Sequence, residues 1–229
     1  MRIHYLQQVP FETAANIGAW AIERGFTLTK TELFKGELFP TLADIDVLAV
    51  IGGPMNVYQH RDYPWLKEEK NFIEQAIAQK IKVIGVCLGA QLIADVLGAK
   101  VKQNSFIEIG WHDVILTNDG INSNFLRNFP KTFTTFHWHG DTFEIPAGAL
   151  NLAASEACIN QAFQYDDNVI GLQFHLEYSQ GNIEKMFEYC FQEIINAPYV
   201  QKKEKIRCGY SHIESNKQLL NELLIMLCK

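Results

Sequence analysis

An apolar run that delivers a single cysteine between two glycines, Gly85-Val86-Cys87-Leu88-Gly89, constrains this chain more than any other segment. Ile81 to Val86 reads as a buried strand and Leu88 to Leu97 as a helix, so a sharp turn between them holds the Cys87 sulfur clear of a sheet. Such a turn strains the residue at its tip and needs neighbours without side chains, which Gly85 and Gly89 supply. At a helix N-terminus the thiol meets free N–H groups and the positive end of the helix dipole, which favour thiolate, and the Leu88 N–H can point at a developing oxyanion. A buried packing cysteine is the competing reading of the same pentapeptide.

A second segment tips the balance. Val169-Ile170-Gly171-Leu172-Gln173-Phe174 reads as another apolar strand and runs into His175-Leu176-Glu177. Strand alternation puts His175 and Glu177 on one side, so the carboxylate can hold the imidazole while its other nitrogen faces a thiol. A third strand, Val47 to Ile51, ends in Gly52-Gly53-Pro54, where two glycines let the backbone approach a ligand closely. The Gly53 N–H is the candidate second oxyanion donor beside that of Leu88. Alone, Gly-Gly-Pro would be an ordinary strand-exit turn.

Together, Gly52-Gly53-Pro54, Gly85-Val86-Cys87-Leu88-Gly89-Ala90-Gln91 and Gln173-Phe174-His175-Leu176-Glu177 resemble the class I (triad) glutamine amidotransferases. The likeness is greatest to the glutaminase domain of GMP synthetase and its stand-alone relatives, and it spans most of residues 1–195. It implies a flavodoxin-like α/β fold, an open, mostly parallel sheet with helices on both faces and added antiparallel strands. It implies that Cys87 attacks the side-chain amide of glutamine, that His175 acts as base and then acid, and that Glu177 orients His175. It further implies an oxyanion hole made by the N–H groups of Gly53 and Leu88, with Gly52 and Gln91 beside the bound substrate. Leu176 departs from the family pattern, which usually has proline there. The change frees the backbone and keeps both reacting side chains.

His137-Trp138-His139-Gly140-Asp141 competes as a metal site, because an extended strand places His137, His139 and Asp141 on one side, as in zinc hydrolases. The stand-alone relatives carry a similar His-Gly-Asp segment, so the stretch is assigned to the wall of the substrate pocket, with Asp141 meeting the substrate amino group. No metal and no cofactor are expected. Glu108, in Ile107-Glu108-Ile109-Gly110-Trp111, resembles a pocket-side family segment, although an exposed strand carboxylate is the commoner reading. His4, His60, His112 and His212 have no constellation around them.

Strands are expected near 2–6, 46–51 and 81–86 and helices near 11–24, 64–79 and 88–97, an alternation that argues for a parallel sheet. A β-rich stretch follows, with strands at 107–116, 132–138, 151–157, 161–165 and 169–174. A helix is expected over 179–195 on an apolar stripe of Ile183, Met186, Phe187, Cys190, Phe191 and Ile194. After a polar connection at 201–205, a last helix is expected to open at Ser215, which has capping-box spacing with Gln218. We therefore expect an amidotransferase domain over 1–195 and a helical extension, 196–229, packed on it through Leu219, Leu220, Leu223, Leu224 and Leu227.

A formal charge of −6 gives no electrostatic invitation to nucleic acid or an anionic membrane. The chain starts directly in a strand without a leader pattern and has no apolar run long enough to span a bilayer, so a cytoplasmic home is expected. The five cysteines, Cys87, Cys158, Cys190, Cys208 and Cys228, are odd in number and lack paired metal spacing, which suits reduced thiols. No ATP-pyrophosphatase domain follows and no phosphate loop is seen, so the ammonia is expected to be handed to a separate synthase or lost. Two other readings compete. One is a hydrolase of γ-glutamyl compounds; the other is a non-catalytic partner-binding domain.

Overall fold

In the computed structural model, which describes residues 1–229, one nine-stranded sheet runs through the whole chain in the order β2-β1-β3-β4-β9-β8-β7-β5-β6. Its parallel half comprises β1 (Arg2–Gln7), β2 (Thr27–Glu32), β3 (Val47–Val50), β4 (Lys82–Val86) and β9 (Val169–Leu172). Its antiparallel half adds β8 (Ala162–Tyr165), β7 (Leu150–Ala154), β5 (Val101–Leu116) and β6 (Thr132–Phe143).

Alternation along β3 explains the layers. Val47, Ala49 and Ile51 face one core, which Ile17 and Trp20 of α1 (Ala15–Glu23) cover together with Leu220, Leu223, Leu224 and Leu227 of α7 (His212–Leu227). Leu48 and Val50 face the other, covered by Leu66 and Ile73 of α2 (Trp65–Ala78) and by Leu92 and Ile93 of α3 (Leu88–Val96). A sheet buried on both faces needs continuous apolar strands, and β3 and β4 have them. This is the α/β architecture that the alternation implies, and no helix is long and apolar enough to cross a membrane.

Several boundaries differ from expectation. Edge strand β2 is mostly polar and exposed, so it lacks the apolar signature that marks the inner strands. The helix expected over 179–195 ends sooner: α5 spans Gln180–Tyr189, opened by a capping box between Ser179 and Asn182, and Phe191 lies beyond it, exposed. A short helix, α6 (Lys203–Cys208), occupies the expected polar connection and buries Ile206 against Trp111, whose indole donates to the Ile206 carbonyl. Ser215 does not cap the last helix. It lies one turn inside α7, and its hydroxyl donates back to the His212 carbonyl.

One buried polar group on α2 escapes an apolar-stripe reading. Glu69 is fully buried, accepts a hydrogen bond from the Gln8 amide, and has its carboxyl pushed up to about 8 by burial. In the unfolded chain it ionises near its ordinary value of 4.5. Its contribution to stability is therefore fully present below that value and is lost as pH rises toward 8. Glu69→Gln is expected to flatten the decline of unfolding free energy across this window, by an amount on the order of a few kcal/mol, as read by urea unfolding at a series of pH values. A separate change, Leu223→Ala, removes a fully buried side chain between α7 and the sheet and should cost about 2–5 kcal/mol in urea unfolding.

Candidate active site

Cys87 sits between β4 and α3 with φ +52° and ψ −110°, a strained backbone for a residue with a side chain. Its N–H donates to the Leu172 carbonyl of β9 at 2.7 Å, so the elbow is tied to the neighbouring strand. The flanking glycines make the turn sterically feasible. A Cβ on Gly89 would collide with the Val50 carbonyl oxygen, and one on Gly85 would lie 2.6 Å from the Gly89 carbonyl. α3 therefore presses against β3 at a distance that only glycine permits.

His175 follows β9 and is pinned from the other side by β6. Its N–H donates to the Phe136 carbonyl at 2.8 Å, and the Thr135 hydroxyl donates to the His175 carbonyl at 3.0 Å. Its Nδ1 lies 2.7 Å from Glu177 Oε1, with both side chains buried. Donation from Nδ1 to this carboxylate leaves Nε2 as the ring nitrogen without a partner. Nε2 makes no other hydrogen bond, and the Cys87 sulfur is near enough to strengthen the ring's hold on a proton. Burial opposes the charged imidazole, but the Glu177 charge and the Cys87 and Glu177 contacts outweigh it and raise its pKa well above the ordinary value. The Tyr178 ring stacks on the imidazole at 4.2 Å between centroids and fixes its plane.

Cys87 and His175 open onto one cavity of about 250 Å³, which Gly53, Leu88, Gln91 and Asp141 also line. Gly52 lies just behind. A Cβ there would be 3.6 Å from both Cys87 Cβ and His175 Cε1, and 2.6 Å from Glu12 Oε2. Gln91 is held by its own amide, which donates to Gln173 Oε1 at 3.1 Å and to the Asp141 carbonyl at 3.3 Å. The Asp141 carboxylate accepts from the Tyr58 hydroxyl at 3.1 Å. A larger cavity, about 580 Å³, is bordered by Trp111, Glu156 and Tyr199 and touches neither Cys87 nor His175.

The competing grouping of His137, His139 and Asp141 does not form. The Asp141 carboxylate turns to Tyr58, and Glu108 takes its place beside the two histidines. Glu108 is itself buried, not an exposed strand carboxylate, and its pKa falls to about 2: burial raises it, but hydrogen bonds and charge from His139 and His137 win. His4, which has no sequence constellation, is a buried structural residue bonded to Thr29 and Thr31.

Four residues of the site escape a sequence reading. Glu12 is buried beside the His175–Glu177 pair, accepts from the Tyr178 hydroxyl at 2.9 Å, and is raised by burial to about 7. Glu193 receives the Trp138 indole N–H at 2.9 Å and is also raised by burial. Gln173 donates to the Cys87 sulfur at 3.7 Å, and Tyr178 bridges His175 and Glu12. Glu12 precedes α1 and Glu193 follows α5, so neither lies near a recognisable motif.

The geometry is that of a cysteine held at a strand–helix elbow beside a histidine–carboxylate pair, and the chain belongs to the class I glutamine amidotransferases. The family model described as glutamine amidotransferase class-I matches residues 20–195. The glutamine amidotransferase-like protein YfeJ of Salmonella typhimurium is 36% identical over 228 residues, which cover 98% of this chain and 94% of YfeJ. A glutamine-hydrolyzing GMP synthase subunit of Methanococcus vannielii is 34% identical over 118 residues, 51% of this chain and 61% of that protein. Gamma-glutamyl peptidase 5 of Arabidopsis thaliana is 28% identical over 156 residues, 66% of this chain and 61% of that protein. A crystal structure of a glutamine amidotransferase from Thermotoga maritima superposes with a TM-score of 0.90 at 31% identity, over 100% of this chain and 98% of that one.

Glu12 and His175 interact electrostatically, so ionisation of Glu12 near neutrality should help the imidazole keep its proton. In Glu12→Gln that charge is gone, and the His175 titration should move to lower pH, as read by histidine proton resonances.

Proposed function

We propose that this chain hydrolyses the side-chain amide of glutamine through a γ-glutamyl thioester on Cys87 and passes the ammonia to a separate synthase. The observation that carries the reading is the convergence of the strained Cys87 elbow and the buried His175–Glu177 pair on one cavity. The Cys87 thiol gives its proton to His175 Nε2 as the sulfur attacks the amide carbon, and the carbonyl electrons move onto oxygen. The Gly53 and Leu88 N–H groups then stabilise that oxyanion, a role in which one donor is worth on the order of 100- to 1000-fold in rate. Leu88 opens α3, where the first turn has N–H groups without intrahelical partners.

His175 Nε2 next gives its proton to the departing nitrogen, so that ammonia leaves and the carbonyl re-forms as a thioester. Water attacks the thioester with His175 as base, glutamate departs, and the thiol is restored. Glu177 holds the imidazole in position throughout. Gly52 and Gln91 border the substrate, and Asp141 meets its amino group. A partner enzyme fits a relative whose name marks it as one subunit of GMP synthase. The five free thiols suit the reducing cytoplasm.

A second reading has an observation of its own. The cavity also takes in Glu12, Met186, Cys190 and Glu193, and the buried Glu12 carboxyl with Glu193 at the cavity edge suits a leaving group that carries an amine. The same thioester chemistry then cleaves γ-glutamyl compounds, in line with the peptidase relative. Glutamate release from a panel of glutamine and γ-glutamyl amines and peptides separates the two, because each reading predicts which substrate has the higher kcat/KM.

Cys87→Ala should abolish turnover and labelling by a glutamine-mimicking electrophile while leaving the fold intact; turnover at the parent rate would exclude the mechanism. Glu177→Gln should lower kcat by on the order of 10⁴-fold with little change in KM, as loss of an orienting carboxylate does in other triads. A parent chain that neither reacts with the electrophile nor turns over any member of the panel would favour a non-catalytic, partner-binding role.

A further inference from the structure

The buried cluster on β5 and β6 is not used by the chemistry above. Glu108 and His139 are directly paired across the two antiparallel strands, and His137 lies one same-face step along β6. One ligand-type atom from each of Glu108, His137 and His139 lies within 4.8 Å of the others. All three side chains are buried.

Their hydrogen bonding is incomplete in a particular way. His139 Nδ1 lies 2.9 Å from the Asp141 carbonyl, an acceptor only, so that nitrogen carries hydrogen. In the neutral ring, Nε2 then presents a lone pair, and it faces Glu108 Oε2 at 3.0 Å. Glu108 is fixed by donors from Ser155 at 2.7 Å and Gln161 at 2.6 Å. His137 Nδ1 lies 3.9 Å from the same Glu108 oxygen, and neither His137 ring nitrogen has any hydrogen-bond partner although the residue is fully buried. A buried imidazole with both nitrogens unmet is costly, by about 1–3 kcal/mol for each unsatisfied group.

We propose that Glu108 Oε2, His139 Nε2 and His137 Nδ1 bind one divalent transition-metal ion of the zinc class. Two imidazoles and a carboxylate are the donor set that such ions take. A cation at their meeting point takes the place of the proton between Glu108 and His139 and gives His137 its missing partner. The surrounding contacts already hold the ligands in place: the Asp141 carbonyl fixes the His139 tautomer, and Ser155 and Gln161 orient the carboxylate. Glu108 and Ser155 border the 580 Å³ cavity, which gives an ion a route in. The same stretch of β6 carries the Trp138 carbonyl, which accepts from the Cys87 sulfur, and Asp141 of the active-site cavity. The ion is thus structural, holding one wall of the catalytic pocket.

The proposal does not depend on the catalytic reading and is tested without activity. Cys87→Ala is used as the background, so that the catalytic thiol cannot bind metal itself. After chelator treatment this protein should take up one zinc ion per chain by calorimetry and elemental analysis. With cobalt(II) it should show ligand-field absorption without a thiolate charge-transfer band. Adding His137→Phe should weaken zinc binding by more than roughly 100-fold, beyond the loss seen when only a residue that orients a ligand is removed. Phenylalanine keeps the ring and removes both unmet nitrogens, so the metal-free double variant should be at least as stable as its background. Adding Glu108→Gln instead should also abolish stoichiometric uptake. Failure of the folded Cys87→Ala protein to bind zinc, or equal binding with and without His137, would falsify the assignment and leave a proton shared by Glu108 and His139.

Discussion

Everything at the Cys87 end of the sheet depends on how closely α3 packs against β3. Gly89 touches the Val50 carbonyl where any side chain would collide, and Gly85 does the same against Gly89. The helix can therefore begin immediately after β4, and the chain turns so sharply that Cys87 adopts a left-handed φ. That strain persists because neighbours over-determine it: a hydrogen bond to Leu172 on one side and the helix on the other. With the elbow fixed, the parallel β4–β9 pairing carries the next strand end, and with it His175, to the sulfur.

A second constraint is electrostatic. The floor of the site is a dense set of buried polar groups, including Glu12, Gln91, Gln173, His175, Glu177 and Tyr178. Each is expensive to bury alone, and most are partnered. Their sum raises the His175 pKa above its ordinary value and leaves Glu12 poised near neutrality. A short distance along β6, Glu108, His137 and His139 repeat the pattern of buried charge with less complete partnering. Antiparallel β6 thus links two polar clusters, since Phe136 pins His175 from the same strand that carries both histidines.

Much of the fold was legible because buried parallel strands are continuous apolar runs. β3, β4 and β9 announce themselves, and so do the helices that cover them. β2 was not legible, because an exposed edge strand has no apolar pattern to read. The early end of α5 and the turn added before Ser215 were missed for a related reason. A capping residue is only a local preference, and packing around Ile206 and Trp111 decided where the last helices begin and end. Of the candidate site, Cys87, His175 and Glu177 could be read because Cys87 directly follows the apolar strand β4 and the other two lie shortly beyond β9. Glu12, Glu193 and Tyr178 could not.

Sequence by itself determined the elbow and the strands that lead to the site, because these follow from steric rules and continuous apolar runs, whereas His175 and Glu177 meet beyond the end of β9, where no strand repeat operates. Tertiary structure alone decided which distant side chains join them. Whether Asp141 turns to Tyr58 or to the histidines, and whether Glu108 faces solvent or the interior, depends on β5–β6 register across an irregular segment between Gln103 and Glu108. The physical reason is that register and burial are set by long-range pairing, and a shift of one residue sends every side chain to the opposite face.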